Sequence, residues 1–177
     1  MGVISVMSAA FGGAVSAEII GTGADRTIKH EVVVEAPIAD VWHAWTTVDG
    51  LTKFFAPGAK VELREGGPFE IYFMPDAPEG QRGADGCRVI AFKPMESLSF
   101  TWNAPPSIPN LRSAGKQTNV TLNFQEIEPG KVHVSLTQPV PETGEDWDKY
   151  AAYFEKAWPA VLKNLQSNIG KIKAPRG

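Results

Sequence analysis

Sulfur chemistry is nearly absent from this sequence. Cys87 is the one cysteine among 177 residues, which excludes an internal disulfide framework and any cysteine-only metal site. Histidine is scarce too. His30, His43 and His133 are scattered without HxxxH or HxH spacing, so they form no recognisable metal-binding pair. No basic excess exists, since 17 Lys plus Arg face 20 Asp plus Glu for a net charge of −3. Nucleic acid is therefore a poor partner, because a phosphate backbone is held first by a positive field. G-x-S-x-G, Walker and G-x-G-x-x-G patterns are missing, which removes motif support for those hydrolase and nucleotide-binding chemistries. Charge itself is missing from one place, the first 17 residues. That stretch is still too short to span a bilayer, which takes roughly 20 apolar residues.

The uncharged start, MGVISVMSAAFGGAVSA, reads as the apolar part of a secretory signal. Val3 to Val15 would be its h-region, and Val15-Ser16-Ala17 a small-residue cleavage site before Glu18; a positively charged n-region is lacking. With a signal the protein is periplasmic or secreted, and with a mere apolar tail it is cytoplasmic. Either way residues 1–17 are expected outside the fold, 18–26 as a linker, 27–170 as one domain and 171–177 as a tail. A length of 177 residues suits a single core.

Hydrophobic periodicity supplies the elements. In Thr27–Glu35, Ile28, His30, Val32 and Val34 share one phase, as in a half-buried strand. Two short helices follow, over Pro37–Thr46 and around Asp49–Phe55. Strands are then expected at Lys60–Arg64, Phe69–Met74, Cys87–Lys93, Ser97–Asn103, Thr118–Glu126 and Lys131–Gln138. Their inward phase holds Leu98, Phe100, Trp102, Val120, Leu122, Phe124, Val132, Val134 and Leu136, and their outward phase is Ser, Thr and Asn. That pattern fits an antiparallel sheet with one covered face. Steps of three and four from Trp147 through Tyr150, Phe154, Trp158, Leu162 and Leu165 to Ile169 make a long amphipathic helix to cover it. Pro159 in its middle removes a backbone donor.

Five segments, in order, resemble the START-like (SRPBCC) superfamily and especially its branch of activator-of-heat-shock-protein-90-ATPase homologues. They are VVVEAPIADVWHAWTTVDGLTKFF, the Gly-Gly hairpin VELREGGPFEIYF, the hairpin FKPMESLSFTW, QTNVTLNFQEIEPGKVHVSLTQ and the Trp147 helix. The resemblance runs from Thr27 to Leu165. It implies an α+β helix-grip (START/Bet v-like) fold, with a curved antiparallel sheet of about six to seven strands, two short helices and a long C-terminal helix. It also implies an apolar cavity. The superfamily includes carriers, sensors, cyclases and chaperone regulators, so the fold does not by itself assign the function.

The residues then speak to what such a cavity would hold. Trp45, Phe55, Phe69, Phe73, Trp102, Phe124, Tyr150, Phe154 and Trp158 are candidate wall residues, though aromatics also simply fill cores. Arg88 shares the phase of Ile90 and Phe92; buried, it would need a carboxylate or an anionic ligand, and at a strand end it would reach solvent. His30 is the one candidate for moving a proton, with no evident sequence partner. Cys87 has no catalytic signature around it. The loops Pro75–Gly86 and Asn103–Lys116 are long for hairpin connections and are candidate lids. The expectation is a carrier or sensor for a small hydrophobic or amphipathic molecule, without metal or cofactor. The alternatives are a polyketide cyclase/aromatase-like or hydratase-like enzyme using the same cavity, and a chaperone-regulating interaction domain.

Overall fold

The computed structural model describes residues 15–176; of the expected h-region only Val15 falls within them. A strand stands where none was expected, taking in Ser16 and Ala17 of the segment placed outside the fold and Glu18–Ile20 of the expected linker. β1 (Ser16–Ile20) pairs antiparallel with β2 (Arg26–Val34), placing Ala17 opposite His30. All five residues of β1 are exposed, so they carry no alternating pattern by which an edge strand could be read from sequence.

After β2 the chain forms α1 (Ile38–Thr46) and α2 (Val48–Phe54), separated by Thr47 alone. The Thr47 hydroxyl accepts a 3.0 Å bond from the Gly50 amide and so caps α2. Gly50 itself is required by packing. A Cβ there would lie between 2.4 and 2.6 Å from the backbone of His43 and Ala44, so the two helices meet backbone to backbone.

A hairpin of β3 (Gly58–Val61) and β4 (Phe69–Tyr72) follows, then β5 (Val89–Lys93) and β6 (Ser97–Asn103). The short helix α3 (Pro109–Ser113) lies within the loop that leads to β7 (Gln117–Glu128), β8 (Lys131–Val140) and α4 (Glu145–Asn168). The main sheet is antiparallel with strand order β1-β2-β8-β7-β6-β5. The β3–β4 hairpin extends it beyond β5, through bonds of 2.8 Å from Val89 N to Gly67 O and from Phe69 N to Cys87 O. The result is the expected curved sheet with a long helix across it, of six strands plus the separate hairpin.

The inward phase packs as expected. Ile28, His30, Val34, Leu98, Phe100, Val120, Leu122, Val132, Val134 and Leu136 are all fully buried, each fully buried Leu, Val or Phe contributing about 1.5–3 kcal/mol. On the other face Ser99 and Thr121 are register partners whose hydroxyls bond at 2.9 Å. The helix α4 packs on β1, β2 and β8, while α1 packs on β7, with Trp42 edge-on to Phe124 at 5.7 Å.

Two further expectations are corrected. Entering β5 and at its start, Cys87 and Val89 are buried, and Arg88 and Ile90 are exposed. A bulge between Val89 and Ala91 shifts the pairing register there and breaks the simple alternation. The segment after Gly170 is not a loose tail, because Ile172 is fully buried and Asp40 accepts bonds from Ala174 N at 2.9 Å and Lys173 Nζ at 3.1 Å. Among the described residues no helix is long and apolar enough to cross a membrane.

Candidate functional site

One face of α4 is not fully covered by the sheet. Where it passes the ends of β4 and β6, a cleft opens that encloses about 480 Å³, its mouth included. Phe55 just after α2, Trp102 on β6, and Phe154 and Trp158 on α4 form its inner wall. Their rings touch one another, with centroids 5.6 Å apart for Phe55–Trp102, 5.3 Å for Trp102–Trp158 and 5.9 Å for the stacked Phe154–Trp158 pair. Ala157 and Val161 continue the wall along α4, and Phe73, Pro105, Pro106 and Tyr153 surround the mouth. An apolar cleft with few polar groups is the form small-molecule sites take.

Behind that wall lies a buried polar cluster. Gln138 on β8 donates to the Tyr150 hydroxyl at 2.7 Å and to the Thr118 hydroxyl at 3.0 Å, and those two hydroxyls bond at 2.7 Å. The Gln138 carbonyl oxygen accepts the Trp158 indole N–H at 2.7 Å. This last bond fixes the indole plane that forms the cleft floor. Burial pushes the Tyr150 phenol above its usual range, so it stays a neutral hydroxyl.

At the mouth stands Arg112, half-buried on α3. Its guanidinium donates to three backbone carbonyls, Ala104 O at 2.7 Å, Gly83 O at 2.9 Å and Gly80 O at 3.1 Å. Asn103 also donates to Gly83 O, at 3.1 Å. Within the Pro75–Gly86 loop, Asp85 accepts from the amides of Gly80 and Gly83, each at 3.0 Å, and from Arg82 Nε at 2.6 Å. Both candidate lids are thus stitched to each other through Arg112 and Asn103, and they frame the cleft as fixed walls.

The family model described as activator of Hsp90 ATPase homolog 1-like protein matches residues 35–170. The chain belongs to this family. No curated protein matches it in sequence. Among solved structures, it is similar to protein MLL2253 from Mesorhizobium loti, at 20% identity and TM-score 0.63 over 84% of this chain and 99% of that one. CalU16 from Micromonospora echinospora is 23% identical, with TM-score 0.61 over 89% of this chain and 85% of that one. The Aha1 dimer from Colwellia psychrerythraea, solved in solution, is 20% identical with TM-score 0.60 over 82% and 98% of the two chains. At such identities the likeness is one of fold.

Within this Aha1-like domain the expected site residues separate into two groups. Phe55, Phe73, Trp102, Phe154 and Trp158 meet at the cleft. Trp45, Phe69, Phe124 and Tyr150 are buried elsewhere in the core, Phe69 stacked on Phe100 at 4.1 Å and Trp45 edge-on to Phe54 at 5.1 Å. Arg88 is excluded from the cleft: it is exposed, and its guanidinium donates to Gly66 O at 3.0 Å. A strand position facing solvent spares that cation an unpaired burial.

His30 is fully buried, and neither ring nitrogen has a hydrogen-bond partner among the described residues. Burial holds its pKa below the ordinary value, partly offset by the nearby backbone of Ser16 and Phe154. It does not line the cleft. Burial also pushes the Cys87 thiol up to about 12, which leaves no thiolate to act as a nucleophile. Among the described residues no three His, Cys, Asp or Glu side chains come together to hold a metal ion. Sequence reasoning missed Arg112, Gln138 and Asn103. Arg112 sits in an aperiodic Pro-rich loop, and Gln138 continues the inward phase of Val132, Val134 and Leu136, the one signal that it would be buried.

Proposed function

We propose that this Aha1-like domain binds a small, mostly apolar molecule in the cleft between α4 and the joined loops, as a carrier or sensor. The observation that carries the reading is the open aromatic wall of Phe55, Trp102, Phe154 and Trp158, already fixed in orientation by the Trp158–Gln138 bond. Affinity would come from burying apolar ligand surface at about 25 cal/mol per Å². A preformed wall reduces the ordering cost that binding otherwise carries. Catalysis is the weaker reading, because the buried groups suited to proton transfer or nucleophilic attack lie outside the cleft. His30, Cys87 and Tyr150 are held neutral by burial, and none of them lines it.

The test is titration with the neutral fluorescent probe N-phenyl-1-naphthylamine. Wild type should bind it saturably and with quenching of tryptophan fluorescence, since Trp102 and Trp158 form the wall. Ala157→Trp, which places a large ring in the cleft from a half-buried helix position, should abolish both signals while the protein stays folded. Equal binding by the two proteins would place the probe elsewhere and defeat the proposal.

A further inference from the structure

The cation at the cleft mouth restricts which molecules the cleft can take. This inference rests on the cleft being the binding site and goes on to the class of ligand. Arg26, Arg64 and Arg82 each have a carboxylate partner, Asp148 at 2.7 Å, Glu62 at 3.0 Å and Asp85 at 2.6 Å. Arg112 has none among the described residues; its three bonds all go to neutral carbonyls. Carbonyls hold the guanidinium in place without cancelling its charge. A guanidinium carries five N–H donors, so at least two remain for another acceptor. Of the three acids in the Pro75–Gly86 loop, Asp76, Glu79 and Asp85, none forms an ion pair with Arg112 among the described residues, and Asp85 is engaged by Arg82 and by the Gly80 and Gly83 amides.

An uncompensated guanidinium beside an apolar cleft is the arrangement that recognises a molecule with one greasy body and one anionic end. Arginine is suited to this task because its planar donor set matches an oxyanion and is less strongly hydrated than an ammonium. The position is also stiff, since Ala104, Gly80 and Gly83 come from two separate loops and fix the guanidinium from both sides. We propose that the ligand is a free anionic amphiphile, a carboxylate or similar oxyacid carrying a short chain or fused rings. Its charged end would rest on Arg112 and its apolar body against Trp102, Phe154 and Trp158. A charged end there needs no full desolvation, because Arg112 is half-exposed at the mouth.

Two matched probe pairs test the proposal. The first is 1-anilinonaphthalene-8-sulfonate against N-phenyl-1-naphthylamine, the same rings with and without an anionic group. Arg112→Gln should weaken the sulfonate by about tenfold or more, the worth of a charge-assisted hydrogen bond, while the neutral probe changes less than twofold. Arg112→Lys should recover part of the loss. The neutral probe doubles as a check that the variant cleft is intact. Equal losses for both probes, or none for the sulfonate, overturn the ligand class while leaving the cleft reading in place. Failure of both probes to bind wild type overturns the cleft reading itself.

The second pair needs no variant. Decanoate should displace the sulfonate probe from wild type well below the concentration at which decanol does. Equal displacement by decanol overturns the proposal. Phosphatidylglycerol vesicles distinguish a free acid from a lipid headgroup, and displacement by vesicles but not by decanoate also overturns it.

Discussion

Gln138→Leu should be among the most damaging single changes to the region behind the cleft. The side chain is fully buried and takes part in three bonds of 2.7–3.0 Å, donating to Thr118 and Tyr150 and accepting from Trp158. Leucine fills similar space, so the cost arises from lost partners more than from a void. Thr118 and Tyr150 retain each other at 2.7 Å. The Trp158 indole N–H has no other hydrogen-bond partner among the described residues, and a buried donor left unsatisfied costs about 1–3 kcal/mol. Adding about 1 kcal/mol for the two donated bonds, partly offset because an amide no longer needs burial, the expected loss is roughly 2–4 kcal/mol. For a chain of this length that corresponds to a thermal midpoint lowered by roughly 5–15 °C.

Urea unfolding followed by tryptophan fluorescence gives the free energy directly, provided the slope is unchanged. Tyr150→Phe is the companion variant. It removes one hydroxyl but leaves Gln138 bonded to Thr118 and Trp158, so it should cost only about 1 kcal/mol. Because Gln138 orients the indole of the cleft floor, Gln138→Leu should also weaken N-phenyl-1-naphthylamine binding, whereas Tyr150→Phe should spare it. A loss below about 1 kcal/mol for Gln138→Leu, or an equal loss for the two variants, would refute the assignment of the Trp158 bond as the costly one.

His30 should make stability fall in acid. Its folded pKa lies below the ordinary 6.5 because burial disfavours the imidazolium, so the unfolded chain takes up the proton first. Stability is fully present above pH 6.5 and is lost as pH falls from there towards the folded pKa, with a slope of at most about 1.4 kcal/mol per pH unit; His30→Leu should flatten that part of the urea-derived profile, and an unchanged profile would contradict the reasoning. Cys87, buried with its thiol pushed up to about 12, should resist iodoacetamide at pH 8 until urea unfolds the chain, and prompt labelling of the native protein would count against it. Gly83→Ala should lower stability by about 1–3 kcal/mol through backbone strain, since its φ is +151° and a Cβ would lie 2.4 Å from Ile71 O and 2.8 Å from the Phe73 ring. The same change moves the carbonyl held by Arg112 and Asn103, so binding of the sulfonate probe should weaken with it; thermal unfolding and a titration check both.

The sheet and α4 were legible in the sequence because burial there follows a period. Leu98, Phe100, Leu122 and Leu136 alternate with polar neighbours, and Tyr150, Phe154, Trp158 and Leu162 recur at helical steps. Legibility fails wherever the period does. All of β1 is exposed, so its pairing with β2 leaves no mark on composition. The bulge in β5 changes the phase along the strand, with Cys87 and Val89 inward before it and Phe92 packed on the core after it, so a count by twos back from Phe92 puts Arg88 on the wrong face. The helix α3 is five residues long inside a Pro-rich loop, too short to show a stripe.

The two arginines show why the cleft was harder to read than the fold. Periodicity distributes side chains between an inner and an outer face, and it assigned Arg88 to the inner one as a ligand anchor. A cleft, however, is where inward residues fail to close on one another, and that depends on the loops at the strand ends. Trp45, Phe69 and Phe124 face inward as firmly as Trp102 and Trp158 do, yet only the second pair meets the opening. The loops that border it are joined by Arg112 to Gly80, Gly83 and Ala104 and by Asn103 to Gly83, contacts across as many as 32 residues of sequence. One cation of that frame, Arg112, has no carboxylate partner among the described residues. Recognition therefore resides in a side chain whose importance no local pattern could announce, while Asn103 on Gly83 O and Asp85 on the Gly80 and Gly83 amides hold the loops without it.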